Sequence, residues 1–477
     1  MSSRTACAAM RNCSGCCAGS WSTAACRSFT SCASSPPRRR AASACAICAA
    51  MASWHCSGAT PPNSRSAGAS RATTSNRCSV RPERALPMAT PCYQVNLQRG
   101  FGGGEVYTAF FARALGALGI RSVLFAHPEA AHWRARLPED AQVIPVSATQ
   151  LAQRLAALRG AWVVFHTPLP GDAVAALHRA GASATAFAHM PLYDRNPAVL
   201  EPYDLVIPVS QHVADSLRAR GLTRVHAEPL YGVADLRGRR GDRATPLLRH
   251  SVYDWDRRKL RDRLLSHAHP LLGRLRPRLT FTPRPGIALG IVSRLTPIKQ
   301  FALLFRHLAP VLARFPTFHL EIFGSGGYAS VRDLRAALAP IRARARFWGE
   351  QREVGAAYAR IDYLLTGLPE KEALGLNVLE AQACGVPVLA VEAPPFTEIV
   401  AAGVTGLFYA DPRRDAGAGF AALLARLAER PFVLEPAAAA AHLQRFSEAA
   451  FMLRVERLVA EVRRRGLWTG EAARCAS

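Results

Sequence analysis

Glu372-Ala-Leu-Gly-Leu-Asn-Val-Leu-Glu380, continued by Ala381-Gln-Ala-Cys-Gly-Val-Pro-Val-Leu, is the stretch that decides how this chain folds. Its two carboxylates stand eight positions apart, and an apolar pattern of helical period runs into the second. In an unbroken helix that spacing would be just over two turns, but Gly375 predicts a loop that opens a helix. Glu372 is then expected on the loop, and Glu380 a turn or more inside the helix. The backbone amides of Leu376, Asn377 and Val378 are expected to point out of the helix N-terminus. Amides and helix dipole suit an anion, and carboxylates suit sugar hydroxyls. The stretch therefore fits a ligand with both, such as a sugar diphosphate.

Upstream, Ile291-Val-Ser-Arg-Leu-Thr-Pro-Ile-Lys299 ends a predicted strand and opens a helix. Ligands of a doubly wound sheet collect at the carboxyl ends of its strands. Arg294 and Lys299, five apart across the turn, can bring two cations to one diphosphate. Fixed cations there stabilise the charge that builds on a leaving phosphate. The plainer alternative is two solvated charges at a helix start. Ile322-Phe-Gly-Ser-Gly-Gly follows the next strand, and Gly324 and Gly326 would let the backbone approach a ligand, although an ordinary turn has the same composition. Near the start of the folded part, Arg99-Gly-Phe-Gly-Gly-Gly-Glu105 joins a first strand to a first helix. Gly102, Gly103 and Gly104 allow that loop to approach donor phosphates or an acceptor. No Gly-Lys-Ser/Thr follows, and the spacing fits the dinucleotide fingerprint poorly. Two histidines end strands: His166 in Val-Val-Phe-His-Thr-Pro and His189 in Ala-Phe-Ala-His-Met-Pro. A lone histidine in such a place is more often structural.

In this order, the segments resemble the retaining GT-B glycosyltransferases of family 4 type (glycosyl transferases group 1). The resemblance covers roughly residues 92 to 465. Glu372 and Glu380 look like the family's E-x7-E signature, and Ile291–Lys299 is similar to its G-R-L-x-x-x-K-G motif, with Gln300 where glycine is usual. The resemblance implies that Arg294 and Lys299 neutralise the donor pyrophosphate and that Glu380 accepts hydrogen bonds from the ribose. It implies that Glu372 and His189 contact the donor sugar, with Gly375, Leu376 and Asn377 beside the donor and Phe347-Trp-Gly349 near the nucleotide base. It also implies a metal-independent, retaining transfer with no cofactor. The co-substrate would be a nucleoside diphosphate sugar, and the acceptor a hydroxyl of a glycan or glycolipid. Retention in this family is ascribed to a same-face mechanism in which the donor phosphate helps to deprotonate the acceptor, so Glu372 is not assigned as a nucleophile. Asp204-Leu-Val-Ile-Pro-Val-Ser210, Pro229-Leu-Tyr-Gly-Val-Ala-Asp235, Pro394-Pro-Phe-Thr-Glu398 and Gly403-Val-Thr-Gly-Leu-Phe are further family-like segments. Departures are Met190 where aspartate often follows the histidine, Leu374 where an aromatic often precedes the glycine, and Glu370 where serine often follows the proline. They bear on the donor-sugar pocket. Two alternatives remain beside the transferase: a GT-B nucleotide-sugar epimerase, and a degenerate GT-B scaffold acting as a basic binding protein.

Alternation of short apolar runs with amphipathic stretches predicts an α/β chain with parallel sheets covered by helices. Strands are expected near Tyr93–Leu97, Ser122–Ala126, Ala161–Phe165, Ala184–Ala188 and Asp204–Pro208, and again near Ile287–Val292, Phe318–Phe323, Arg344–Trp348, Asp362–Thr366 and Val386–Val391. A first helix over Glu105–Leu118 would turn Phe111, Leu115 and Leu118 inward. Two Rossmann-like, doubly wound units facing a central cleft, the GT-B plan, are thus expected. The expected division is residues 88–240 for an acceptor-side unit, 241–286 for a connection in which Trp255 and Leu260 could pack, and 287–435 for the nucleotide-sugar unit. Residues 436–477 then form a helical segment, from about Ala437 to Arg465, that crosses back to the first unit.

The 477-residue chain is 49% hydrophobic and carries a formal charge of +26. Only three of its basic residues are lysines, Lys259, Lys299 and Lys371. Residues 1–87 hold eleven arginines and one glutamate, and ten of the thirteen cysteines lie in the first 78 residues. The first 82 residues contain no Asp, Glu or Lys. Such a bias resembles a transit peptide or an out-of-frame translation, and Met88 is the expected natural start. No zinc-finger spacing or aromatic RNA-binding motif accompanies the charge, so a nucleic-acid partner is not expected. A basic face could instead meet an anionic membrane. Cysteine use beyond residue 87 is that of a reducing compartment. Together with the resemblance, this gives a cytoplasmic protein, with the inner face of the membrane as an option, in a bacterial cell-surface polysaccharide pathway.

Overall fold

A computed structural model describes residues 91–169, 171–233, 241, 245–255, 260, 262–264 and 279–469. The segment 1–87, with its expected start at Met88, and much of the 241–286 connection lie outside them. The described residues all fall in one compact unit, Pro82–Ser477.

Two six-stranded parallel sheets form its frame. The first comprises β1 (Cys92–Asn96), β2 (Ser122–Ala126), β3 (Gln142–Pro145), β4 (Trp162–Phe165), β5 (Ser183–Ala188) and β6 (Leu205–Pro208), in the order β3-β2-β1-β4-β5-β6. The second comprises β7 (Ile287–Val292), β8 (Phe318–Phe323), β9 (Ala345–Gly349), β10 (Tyr363–Leu365), β11 (Val388–Val391) and β12 (Gly406–Tyr409), in the order β12-β11-β10-β7-β8-β9. The second order is the first repeated with its own strand numbers, so each sheet reverses direction at one point. Those switch points lie between β1 and β4 and between β7 and β10. Crevices for ligands open there, at the carboxyl ends of the strands.

Strands buried on both faces read as near-continuous apolar runs, and β4, β5, β8 and β11 are buried throughout. All ten expected strands are present within two residues of their expected ends. The two that sequence did not indicate, β3 and β12, are sheet edges. β3 is half exposed with no fully buried residue, and Gln142 and Pro145 blur its pattern. β12 follows directly on the Gly403 turn and is only four residues long.

In the first half the helices are α1 (Gly103–Ala117), α2 (Ala148–Ala156), α3 (Gly171–Arg179) and α4 (Gln211–Arg218). Phe111 and Leu115 of α1 are fully buried, whereas Leu118 falls just past the helix and is only partly covered. A capping box fixes the start of α2: Gln150 N–H donates to Ser147 Oγ at 3.3 Å, and Ser147 N–H to Gln150 Oε1 at 2.9 Å.

The C-terminal segment breaks at Ser447 into helices Pro436–Leu443 and Glu448–Arg464. The second lies on the first half: Phe451 meets Tyr107 and Phe110 of α1 at 6.4 and 6.0 Å, and Trp468 meets Trp162 at 5.6 Å. His226 Nδ1 pairs with Glu461 at 2.6 Å and Arg457 with Glu228 at 2.7 Å. Full burial of a side chain like Phe451 stabilises by about 1.5–3 kcal/mol, so these contacts anchor the C-terminal segment on the first half. In the connection, Trp255 packs against Tyr253 at 5.1 Å, but Leu260 is 63% exposed and does not pack as expected. Among the described residues no helix is long and apolar enough to cross a membrane.

Candidate active site

The loops after β7 and β10 carry the charges of the second switch point. Lys299, at the end of the β7 loop, forms an ion pair with Glu372 on the β10 loop, both side chains largely shielded from solvent. The two loops touch through their backbones: a Cβ on Gly367 would stand 2.1 Å from the Lys299 carbonyl oxygen. Glu370 is tied down by Arg413, whose Nε also donates to Asp411 Oδ1 at 2.9 Å. Hydrogen bonding from Arg413 holds the Asp411 carboxyl below its ordinary range. The Glu372 loop is thereby anchored before and beside the carboxylate.

Gly375 caps the next helix, Leu376–Ala383, with φ +96°, a conformation that costs other residues strain. Glu372 lies before the helix and Glu380 is its fifth residue. Glu380 Oε2 accepts from the Tyr358 hydroxyl at 3.0 Å, and the same hydroxyl donates to the Asn377 carbonyl at 2.9 Å. Asn377 Nδ2 donates to the Val292 carbonyl at 3.1 Å, which fixes the helix start to the end of β7. One expectation changes here. The Val378 amide is spent on the Gly375 carbonyl at 2.9 Å, which leaves the Leu376 and Asn377 amides to face outward.

Gly324 and Gly326 stand close to the backbone of the β7 loop. A Cβ on Gly324 would lie 1.9 Å from Ser293 O, and one on Gly326 2.0 Å from Leu295 O. Their amides donate to the carbonyls of Gly349 at 2.8 Å and Val252 at 3.0 Å. These glycines let the loop after β8 pack against the backbone of Ser293 and Leu295, and they set the loop that carries Arg294.

Across the cleft stands the glycine loop after β1. A Cβ on Gly102 would lie 3.3 Å from Arg294 Nη1, so the guanidinium reaches over to the other sheet. The Arg294 side chain is exposed, and its guanidinium makes no ion pair or hydrogen bond with a described residue. Gly103 faces Leu376 Cδ1 at 3.7 Å from its Cβ position, and Gly232 leaves room for the other methyl of Leu376. Gly104 has His189 at 3.8 Å from the same position. Behind the loop, Asn96 Nδ2 donates to Thr108 Oγ1 at 3.0 Å and to buried Glu105 at 3.3 Å. Glu105 thus supports the loop and does not reach the second switch point through any hydrogen bond.

His189 presents an enclosed Nε2 with no hydrogen-bond partner among the described residues. Burial brings its pKa down from 6.5 to about 4, so the ring is neutral at pH 7. His166, Phe187 and His189 lie nearly parallel, with centroids 4.8 Å apart for the first two and 5.3 Å for the last two. His166 is a core residue, with Nε2 2.8 Å from Gln94 Oε1. Burial, helped by His189, pushes its pKa down as well.

A clasp that sequence did not indicate joins the halves beside Glu372. Glu398 accepts from the Gln211 and His212 amides, the first two of α4, at 2.8 and 2.6 Å, and from the Tyr231 hydroxyl at 3.2 Å. Ser210, the N-cap of α4, donates its hydroxyl to the carbonyl of Ala373, next to Glu372. A carboxylate at a helix N-terminus is favoured by both amides and dipole. The only available signal was a lone glutamate after two prolines, and its partners are about 190 residues away in sequence, so no local pattern could pair them.

Two doubly wound sheets with facing switch points make this a GT-B fold. Residues 282–440, which take in β7 to β12, match the family model for glycosyl transferases group 1. No curated protein matches the chain by sequence. Among solved structures it is similar to HepE from Anabaena in complex with UDP and glucose, with a TM-score of 0.56 and 17% identity over 78% of this chain and 99% of that one. Sucrose-phosphate synthase from Thermosynechococcus elongatus gives 0.58 and 17% over 79% and 100%. The pneumococcal O-GlcNAc transferase GtfA in complex with UDP and GlcNAc gives 0.55 and 12% over 78% and 99%.

Proposed function

We propose that the chain is a metal-independent, retaining glycosyltransferase of family 4 type that moves a sugar from a nucleoside diphosphate donor to a hydroxyl of a glycan or glycolipid. The observation that carries this is the meeting of Lys299 with Glu372 at the second switch point, roofed by Arg294 and the glycine loop of the first sheet. One cation and one carboxylate side by side match the two ends of a sugar diphosphate. UDP and glucose in the HepE complex, and UDP and GlcNAc in the GtfA complex, support the same class of donor.

Lys299 and Arg294 take the pyrophosphate and stabilise its charge as the glycosidic bond to it breaks. The outward Leu376 and Asn377 amides, at the positive end of their helix, add to that. Glu380, oriented by Tyr358, holds the ribose hydroxyls. Glu372, released from Lys299 by the incoming phosphate, accepts from sugar hydroxyls. Neutral His189 has its unpartnered Nε2 available for another sugar hydroxyl, and protonation would cost it that role as an acceptor. The acceptor hydroxyl attacks from the face the diphosphate leaves, and the departing phosphate takes its proton. Enclosure between the halves keeps water from competing.

In this proposal residues 88–240 are the acceptor side and 287–435 the donor side, and no resident cofactor is required. The proposed setting is the cytoplasm of a bacterium that builds surface polysaccharide, where a basic surface suits the inner face of an anionic membrane. The test is incubation of the full chain with UDP-, GDP- and ADP-sugars and candidate glycan acceptors, followed by NMR of the new linkage. A product with the donor's anomeric configuration, formed in EDTA, is expected. An inverted product, or turnover only with added metal, would overturn the mechanism. A nucleotide sugar returned with altered stereochemistry and no acceptor product would identify an epimerase.

A further inference from the structure

A cavity of about 530 Å³ lies along the edge strand β9, and no residue of the loops after β1, β7 or β10 lines it. It is bounded by Arg249, by Arg335 and Arg342 from the helical segment that covers the sheet edge, and by Arg346, Phe347 and Trp348 of β9. No Asp or Glu of the described residues lines it.

The arginines around it have divided roles. Arg344 is structural: its guanidinium donates to the carbonyls of Leu312, Phe315 and Phe318 at 2.9, 2.8 and 2.6 Å, in and just after the last turn of the Phe301–Ala313 helix. Arg346 is structural too, since its Nε donates to the fully buried Glu321 at 2.9 Å. Breaking such a pair would cost about 3–5 kcal/mol. Arg249, Arg335 and Arg342 are exposed and make no ion pair or side-chain hydrogen bond with a described residue. Arg335 is held in place by stacking, with its guanidinium carbon 4.6 Å from the Phe347 ring centroid. Phe347 is 7% exposed and packs into the core beneath Arg335, whereas the Trp348 side chain turns to the opposite face of β9, where its Nε1 donates to Glu321.

Three unneutralised guanidinium groups around one concave, aromatic-floored space repel one another, and an anion relieves that repulsion. Planar forks of N–H donors match the oxygens of a phosphoryl group in pairs. We propose that this cavity is a second, non-catalytic site that binds a phosphoryl-bearing ligand. Its volume and open mouth fit a small phosphorylated compound or a single phospholipid headgroup.

The probe is inorganic pyrophosphate, titrated calorimetrically into the full chain at low salt. The background is the Arg294→Ala/Lys299→Ala variant, which removes the cations of the proposed donor site. Binding is expected to persist in that background and to weaken at least tenfold when Arg335→Ala and Arg342→Ala are added. Arg249→Ala alone should weaken it by a smaller factor. Adding Arg306→Ala and Arg430→Ala instead removes the same charge from exposed sites elsewhere and should change little. Cosedimentation with phosphatidylglycerol vesicles, lost with the cavity variants, would assign the ligand to lipid. Pyrophosphate binding without cosedimentation would assign it to a soluble compound. The proposal is overturned if pyrophosphate binding vanishes in the Arg294/Lys299 background, or if the control pair weakens it as much as the cavity pair. The first result would leave the donor site standing, so failure here and failure there are separable.

Discussion

The two switch points share one strand order and differ in what their loops carry. After β1 the chain places three glycines, a buried carboxylate and, from β5 two strands away, a neutral histidine. After β7 and β10 it places Arg294, Lys299, Glu372 and, one helix further in, Glu380. The first crevice supplies closeness and the second supplies charge. The same backbone plan thus divides one site into a wall and a set of charged groups, and the sequence of each loop decides which.

The largest break in that division should come from the charged side. Lys299→Ala is expected to cut sugar transfer about 10²–10³-fold, the usual cost of losing one preorganised charge-stabilising group. Initial rates with the preferred donor check it. A loss under fivefold would move the charge-bearing role away from β7.

The join between the halves should matter less. Glu398→Gln keeps the size of the side chain but leaves one strong acceptor oxygen for the two α4 amides. Transfer is expected to fall about tenfold, equivalent to about 1.4 kcal/mol, while nucleoside diphosphate affinity stays within about twofold. Parallel kinetics and calorimetry separate the two. Equal losses in both would mean that Glu398 acts on the donor half alone.

A pH series sharpens the role of the wall. His189 has a folded pKa near 4 against 6.5 for the free side chain. Between those values the unfolded chain binds a proton that the folded one does not. Stability from this residue is therefore complete above pH 6.5 and declines as pH falls towards 4. Urea midpoints at pH 7, 5.5 and 4.5 should fall less steeply in His189→Phe than in the wild type. Identical slopes would show that the ring is not desolvated in solution.

The smallest effect is expected at Gln300, which caps the Phe301–Ala313 helix with φ +54°. A left-handed residue other than glycine costs about 1–2 kcal/mol, and glycine's extra chain entropy returns about 0.5–1 kcal/mol of the gain. Gln300→Gly should raise the thermal midpoint slightly and leave nucleotide affinity unchanged. A lower midpoint would give the glutamine side chain a stabilising contact of its own.

Legibility in the sequence followed the same division. The charged loops were readable because a strand, a turn and a helix start put Arg294, Lys299, Glu372 and Glu380 at short, patterned spacings. Interior strands were readable because burial on both faces leaves an apolar run. Edge strand β3 was not, since none of its residues is fully buried and its pattern is free to be polar; β12 was not, since it opens inside the stretch from Gly403 to Gly406, which reads as a turn. Gly324 and Gly326 were visible as glycines, yet what they admit, the backbone of residues 293–295, depends on how two loops stack. The Glu398 clasp, and the arginines near β9 that pair with no carboxylate among the described residues, are products of the tertiary fold alone. His189 was marked by its place at a strand end, but the enclosure that keeps it neutral comes from Tyr107 and Phe187, 5.2 and 5.3 Å away.

Calorimetric titration of UDP, GDP and ADP into the wild type and into Lys299→Ala tests the assignment of the β7–β10 crevice to a nucleoside diphosphate most directly. Selective binding of one nucleotide, weakened at least tenfold in the variant, is the predicted result. A well-folded wild type that binds none of them, or a variant that binds as tightly as the wild type, would contradict it.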